Sequence, residues 1–211
     1  MVNRLPPEYI VVAVVIVLLS LTVHEAAHAW SADRLGDSTA RLLGRVSLNP
    51  LVHIDWLGTV VLPLVAAYSN FPIIGWAKPV PVNMSRLKHP RRDFMIIAAA
   101  GPLSNLALAV IAAVLFQVVA PDSAPPRGLN MTDVLYVAGA INVSLAVFNL
   151  VPIPPLDGGN VLAGLLPPAG ADVLDRVRPF GFIVLYGLML SGILGAMIQP
   201  PTAFLRGLLV P

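Results

Sequence analysis

Apolar positions run almost unbroken from Tyr9 to Val23, without the polar face that a helix on the surface of a soluble domain would show. The pattern returns from Phe94 to Ala120, from Val134 to Val151 and from Phe180 to Ile198. A helix crosses a bilayer with about 20 such residues, so each run is read as a span. Pro6-Pro7 suits a helix start and Gly36 a helix end, which places the first helix at about Tyr9 to Leu35. Between the first two runs the pattern changes. Residues Ala40 to Leu48 are short, alternating and broken by Gly44, which predicts strands near the interface, and Asn49-Pro50 predicts a turn. Trp56 to Ala67 is apolar but short and holds Pro63; Phe71 to Asn83 carries three prolines and predicts an edge strand or extended loop. Pro121 to Asn130 is a Pro-rich loop, Asn160 to Pro179 a mixed connection, and the tail from Pro200 is left unassigned.

The pattern predicts an all-α polytopic membrane protein with about four spanning helices, a short re-entrant segment and small interfacial β-strands. It reads as a single membrane-embedded domain over residues 1–211. Its parts are a motif helix (9–35), an interfacial region (40–93), core spans (94–160) and an accessory C-terminal span (161–211).

Composition agrees. The chain is 57% hydrophobic and 11% charged, against roughly a quarter charged in soluble domains. A net charge of +2 with no basic-aromatic surface argues against a nucleic-acid partner. The absence of cysteine excludes disulfides, thiolate ligands and a cysteine nucleophile. Arg4, the run Ile10 to Val23 and Ala27-His28-Ala29 imitate a signal peptide, but the segment is read as a retained span.

Charge also bears on topology. If the Trp56 segment dips in and returns, one side of the membrane holds ten of the basic residues, including Arg34, Arg45, Lys78 and Arg92. The other side then holds only Arg4, Arg127 and Arg206. If the segment crosses, the split falls to eight against five. The positive-inside rule favours the dip, with both termini outside the cell membrane. Asp157 then lies on the same, cytoplasmic side as His24 and His28.

The candidate chemistry is His24-Glu25-Ala26-Ala27-His28, inside the first span. Histidines four apart share a helix face, so both imidazoles can bind one metal ion, and Glu25 between them can take a proton from water. Ionisable groups at membrane depth are costly and usually functional. A catalytic zinc takes three protein ligands, so a third is needed at the same depth. Asp157, His53 and Asp55 are candidates. Asp157 is favoured because it follows a span and is flanked by Pro154-Pro155 and Gly158-Gly159, a break tolerated at membrane depth only where protein buries it or a wet cavity adjoins it. Gly101 and Asn105 read as packing and interhelical residues, and Trp30, Trp56 and Trp76 as interface anchors.

These pieces together resemble the site-2 protease family of intramembrane zinc metalloproteases. The resemblance rests on His24 to His28, on Ala100-Gly101-Pro102, and on Asn149-Leu150-Val151-Pro152 continuing to Leu156-Asp157-Gly158-Gly159. It covers residues 9 to 160. Asn49 to Asp55 and Gly75 to Asn83 look like a compact subclass without PDZ or CBS domains.

The resemblance implies one Zn2+ per chain held by His24, His28 and Asp157, with Glu25 as general base and Asn149 beside the site, holding substrate backbone or oxyanion. It implies transmembrane protein substrates, with anti-sigma factors among the candidates, and a lipid bilayer as surroundings. His53 is open to a gating or supporting role. Extended segments at 40–48 or 75–83 are expected to pair with unwound substrate by strand addition. A membrane metal-ion transporter and a non-proteolytic scaffold retaining the motif are the competing readings.

Overall fold

The computed structural model describes residues 6–62, 65, 75–119 and 129–209. It is built from helices: α1 (Pro7–Arg34), a single turn α2 (Thr39–Leu42), α3 (Pro90–Val119), α4 (Met131–Asn149), α5 (Asp157–Leu165), α6 (Pro168–Val177), α7 (Gly181–Leu190) and α8 (Ile193–Leu209). By length and hydropathy α1, α3 and α4 can each cross a membrane; α6–α7 together with α8 qualify as a fourth span only as a pair bent by 78°.

Burial along α1 is inverted relative to a soluble helix. Ile10, Val11, Val14, Val15 and Leu19 are exposed, whereas Ser20, Thr22, His24, His28 and Ser31 are buried. Lipid tails are as apolar as leucine, so helices gain little from hiding leucine from them. They associate through close backbone approach and shared polar contacts. α3 carries the matching surface: Ala98, Gly101, Pro102, Asn105, Ala109 and Ala112 recur at three- and four-residue spacing, all buried. That stripe lets α3 pack against α1 on one side and α4 and α5 on the other.

The end of α1 is set by a left-handed glycine. Gly36 sits at φ +112, the Gly36 amide donates to the Asp33 carbonyl and the Asp37 amide to Ala32, a Schellman ending that satisfies the last carbonyls. At the other side of the bundle Asn130 and Asp133 form a capping box for α4, and the Tyr9 hydroxyl donates to Asp133 across 3.0 Å, tying the starts of α1 and α4 together.

The expected interfacial strands and the single C-terminal span are corrected. No β-strand forms among the described residues. Residues 40–48 begin inside the turn α2 and pass through Gly44 at φ +68, a left-handed conformation that ends any strand. Residues 75–83 are extended, but Pro79 and Pro81 have no N–H to donate, so a regular ladder cannot build. The run Phe180 to Ile198 is not one straight span, because Gly192 at φ +78 separates α7 from α8. The connection after Asn160 is helical in α5 and α6, and the tail is helical through Pro200 and Pro201 to Leu209. α5 packs against α3 and α8 against α4, contacts that short windows of sequence do not carry.

The expected re-entrant segment is described only in part. Trp56–Val61 forms a π-helical turn capped by the Asp55 carboxylate, which accepts from the Gly58 amide at 2.8 Å; residues 63, 64 and 66–74 lie outside the described residues, as do residues 121–128 of the expected loop Pro121 to Asn130. On the far side the chain meets its own start: the Trp76 amide donates to the Gly58 carbonyl and the Lys78 amide to His53. Arg45, buried, ties this region together by donating to the carbonyls of Val52, Lys78 and Pro79.

Candidate metal centre

His24 and His28 stand one turn apart on α1, and Asp157 is the first residue of α5. Asp157 reaches them because α4 ends at Asn149 and the chain then turns tightly back. The turn is compact enough that a Cβ on Gly159 would lie 2.6 Å from the Pro154 nitrogen, and one on Gly158 would overlap the carbonyls of Leu150 and Val151. The C-terminal helices hold the turn from outside: Val151 and Leu156 pack with Leu185 of α7 and Leu194 of α8. Gly181, opening α7, lies so close that a Cβ there would sit 2.6 Å from the Pro154 oxygen.

The result is a tight triangle. His24 Nε2 lies 3.1 Å from Asp157 Oδ2, His28 Nε2 lies 3.3 Å from it, and the two Nε2 atoms are 3.1 Å apart. On the other ring nitrogens, His28 Nδ1 is 2.7 Å from the Ile97 carbonyl and His24 Nδ1 is 2.6 Å from Asn105 Oδ1. A carbonyl can only accept, so His28 carries its proton on Nδ1 and offers a lone pair from Nε2. Asp157 Oδ2 is buried without a hydrogen-bond donor. Acceptor atoms thus face one another in a buried space, an arrangement that is unfavourable unless a cation lies among them.

The donor set suits zinc in chemistry and in spacing. Two imidazoles and a carboxylate form a known catalytic set, and ligands about 2.0–2.2 Å from a tetrahedral zinc are about 3.3–3.5 Å apart. The observed edges, 3.1 to 3.3 Å, lie at or slightly below the short end of that range. α3 makes room for the group: a Cβ on Gly101 would lie 2.6 Å from His24 Nε2 and closer still to His28 Nε2. Among the described residues this is the one group of three or more His, Cys, Asp or Glu side chains placed to hold a metal ion.

The other sequence candidates fall elsewhere. Asp55 is spent capping the π-turn. His53 is buried, with Nε2 against the Ser47 carbonyl at 2.9 Å and Nδ1 unpartnered. It borders a small void beside Leu18, Leu21 and Thr22 of α1, and no hydrogen bond or ion pair joins it to the metal group. Asn149 donates to the Leu145 carbonyl of its own helix at 3.0 Å. Glu25 is half-buried and makes no hydrogen bond or ion pair among the described residues. A larger apolar groove of about 350 Å³ is lined by Val23, Ala26, Ala27 and Trp30 of α1 with Val46, Ser47 and Leu48. Helical spacing puts it on a face of α1 turned away from both imidazoles, so it does not lead to the metal centre. Asn105, read from the sequence as an interhelical hydrogen-bond residue, does bond across helices, but its partner at the metal centre, His24, was not foreseen. A polar amide seven residues after Ala98, the start of a small-residue run, had no visible link to His24 until the helices were docked.

Comparison with known proteins points the same way. The profile of Peptidase family M50 matches residues 12–123 and 121–191. Over 190 residues the chain is 35% identical to the Bacillus subtilis protein named "Putative zinc metalloprotease YwhC", covering 89% of this chain and 84% of that one. It is 30% identical over 190 residues to "Putative zinc metalloprotease Rip2" of Mycolicibacterium smegmatis, covering 88% and 70%. No solved structure matches. A peptidase family extending over most of the chain decides against the transporter and scaffold readings. With a zinc-suited cluster set among helices fit to span a bilayer, the chain belongs to peptidase family M50, the site-2 protease family, and is a multi-pass membrane zinc metalloprotease.

Proposed function

We propose that this protein is an intramembrane endopeptidase that hydrolyses peptide bonds in or near transmembrane segments of membrane-protein substrates. His24, His28 and Asp157 hold one zinc ion and Glu25 is the general base. The observation that carries the proposal is the three-atom convergence of acceptors, 3.1 to 3.3 Å apart, between helices fit to span a bilayer.

Zinc in such a site supplies Lewis acidity, bringing the pKa of water towards 7 and polarising a peptide carbonyl. Glu25 follows His24 directly and projects about 100° further round the helix. Its carboxylate, without a partner among the described residues, accepts the proton of the attacking water and returns it to the leaving amine. Asn149 stands at the end of α4, just before the turn that carries Asp157. Its amide has two hydrogens; Leu145 takes one, and the second is proposed to hold the substrate carbonyl. A substrate helix hides its carbonyls in its own hydrogen bonds, so it must unwind locally before any of this can act.

The proposed topology has four spans, a re-entrant segment and both termini outside. The meeting of Trp76 with Gly58 and of Lys78 with His53 supports re-entry, since both ends of the segment are then on one side. So does the ten-to-three distribution of basic residues. His24 and His28 lie in the second half of α1, which, with the N-terminus outside, supports chemistry nearer the cytoplasmic surface.

The test is Glu25→Gln. Zinc content should stay at one per chain, while cleavage of a reporter carrying a transmembrane helix should fall by about 10²–10⁴-fold. Wild-type cleavage would remove Glu25 from its role, and cleavage confined to soluble peptides would defeat the intramembrane assignment.

A further inference from the structure

We propose that Asn142, on α4, is a positioning residue for the metal centre: acting through Asn105, it decides which nitrogen of His24 carries the proton. The inference rests on reading His24 as a metal ligand, and it concerns a residue that touches neither the metal group nor substrate.

His24 can offer Nε2 to a cation only if its proton sits on Nδ1. Its Nδ1 partner is a side-chain amide, and an amide is ambiguous. Turned by 180°, Asn105 would present its NH2 group to His24, which would then hold its proton on Nε2 and lose the lone pair it needs. His28 has no such ambiguity, because its Nδ1 faces the backbone carbonyl of Ile97.

The ambiguity at Asn105 is removed further along the chain of hydrogen bonds. Asn142 Nδ2 lies 2.9 Å from the Ala138 carbonyl and 2.9 Å from the Ser20 hydroxyl oxygen. The Ala138 carbonyl can only accept, so the Asn142 NH2 must face it and the Asn142 Oδ1 must face the other way. That oxygen meets Asn105 Nδ2 at 2.9 Å, and the Ser20 carbonyl takes the same NH2 group at a longer 3.4 Å. Asn105 Oδ1 is thereby left for His24, 2.6 Å from Nδ1, which must donate. Polarity set by backbone carbonyls thus passes through two amides to the imidazole. Reversing Asn105 would set its oxygen against Asn142 Oδ1 and against the Ser20 carbonyl, two acceptor–acceptor contacts at once.

Burial makes the constraint binding. Asn105 is 0% exposed, Asn142 and Ser20 3% and His24 4%, so water has little access to repair a reversed link. Polar partners of a ligating histidine fix its tautomer and orientation, and losing one typically costs about 10–100-fold in metal affinity. Three helices contribute: Ser20 and His24 from α1, Asn105 from α3 and Asn142 from α4. The tautomer of His24 is therefore a property of the assembled bundle.

The experiment uses the full chain in detergent or nanodiscs. Zinc affinity is measured by chelator competition, and the histidine tautomers of the metal-free protein by 15N NMR of labelled imidazoles. Asn142→Leu and the smaller Asn142→Ala, of which only one need fold, should bind zinc about 10–100-fold more weakly. Their His24 should show both tautomers while His28 keeps its proton on Nδ1. Asn142→Asp keeps an oxygen that accepts from Asn105 Nδ2 and should recover most of both. Wild-type affinity with a single His24 tautomer in the Leu or Ala variant overturns the proposal, as does an Asp variant no better than those two. His24→Ala is run in parallel: if it binds zinc as tightly as wild type, the metal-ligand reading itself fails. A loss in His24→Ala beside unchanged Asn142 variants strikes the relay alone.

Discussion

Gly101→Ala adds one methyl group where α3 faces the two imidazoles. In an ordinary helix interior this exchange stabilises by about 1 kcal/mol, because alanine is the better helix former. Here the new Cβ would lie 2.6 Å from His24 Cε1 and Nε2 and nearer still to His28 Nε2, while ordinary contact begins at 3.4 Å. His24 must therefore retreat by about 0.8 Å, several times the roughly 0.2 Å within which metal–ligand distances are held. The rings cannot simply turn aside, because their Nδ1 atoms are held by Asn105 and Ile97 at 2.6 and 2.7 Å. A misplacement near 1 Å costs about 10²-fold in rate, or about 2.7 kcal/mol of transition-state stabilisation. The expected outcome is zinc below one per chain at micromolar free metal, cleavage of a transmembrane reporter down by at least about 10²-fold, and a folded protein. Zinc content by elemental analysis, chelator competition and gel-based cleavage read these out. Full zinc occupancy with wild-type cleavage would refute the close approach of α3 to the imidazoles, and with it the geometry of the centre.

Three further outcomes follow from other parts of the structure. Asp157→Ala should abolish stoichiometric zinc binding while leaving His24 and His28 in place, which elemental analysis and a melting curve together would check. Zinc removal should lower the melting temperature of the wild type, by the equivalent of about 4 kcal/mol when free zinc had stood 1,000-fold above Kd; His28→Ala should lose most of that dependence. Asp37 lies just beyond α1 and is fully buried, accepting from the Thr39 amide and hydroxyl and, at 2.6 Å, from the Asn83 amide. Burial pushes its carboxyl up, but the Thr39 hydroxyl, the Asn83 and Thr39 amides and the Arg86 charge together outweigh it and hold the pKa below the usual value. A lowered pKa means stability that is complete above the unfolded value near 4 and is lost as pH falls through the folded one. Thermal melts from neutral pH downward should therefore show a loss below about pH 4 that is reduced in Asp37→Asn.

The His24-Glu25-Ala26-Ala27-His28 motif was legible as chemistry because helical spacing alone stacks the two histidines. The hydrophobic runs gave α1, α3 and α4 within a few residues, because a span must satisfy its own backbone and the sequence need only be long and apolar. Asp157 stood out by its setting between prolines and glycines after a span. Sequence thus favoured it over His53 and Asp55 but could not bring it to the histidines, since that depends on which loop folds back to α1. The expected strands failed where alternation was all that supported them; Pro79, Pro81 and the left-handed Gly44 decide the backbone there.

The sequence by itself determined that this chain enters a membrane and carries two metal-suited histidines with a carboxylate beside them. Only the tertiary structure decided the rest. It brought Asp157 within 3.3 Å of both imidazoles, showed why residue 101 has room only for a glycine, and joined Ser20, Asn105 and Asn142 to His24. The physical reason is that spacing along one helix fixes neighbours one turn apart, whereas an amide's orientation or a carboxylate's reach is set by groups on other helices, 37 residues away in the chain for Asn105 and Asn142 and 81 for His24 and Asn105.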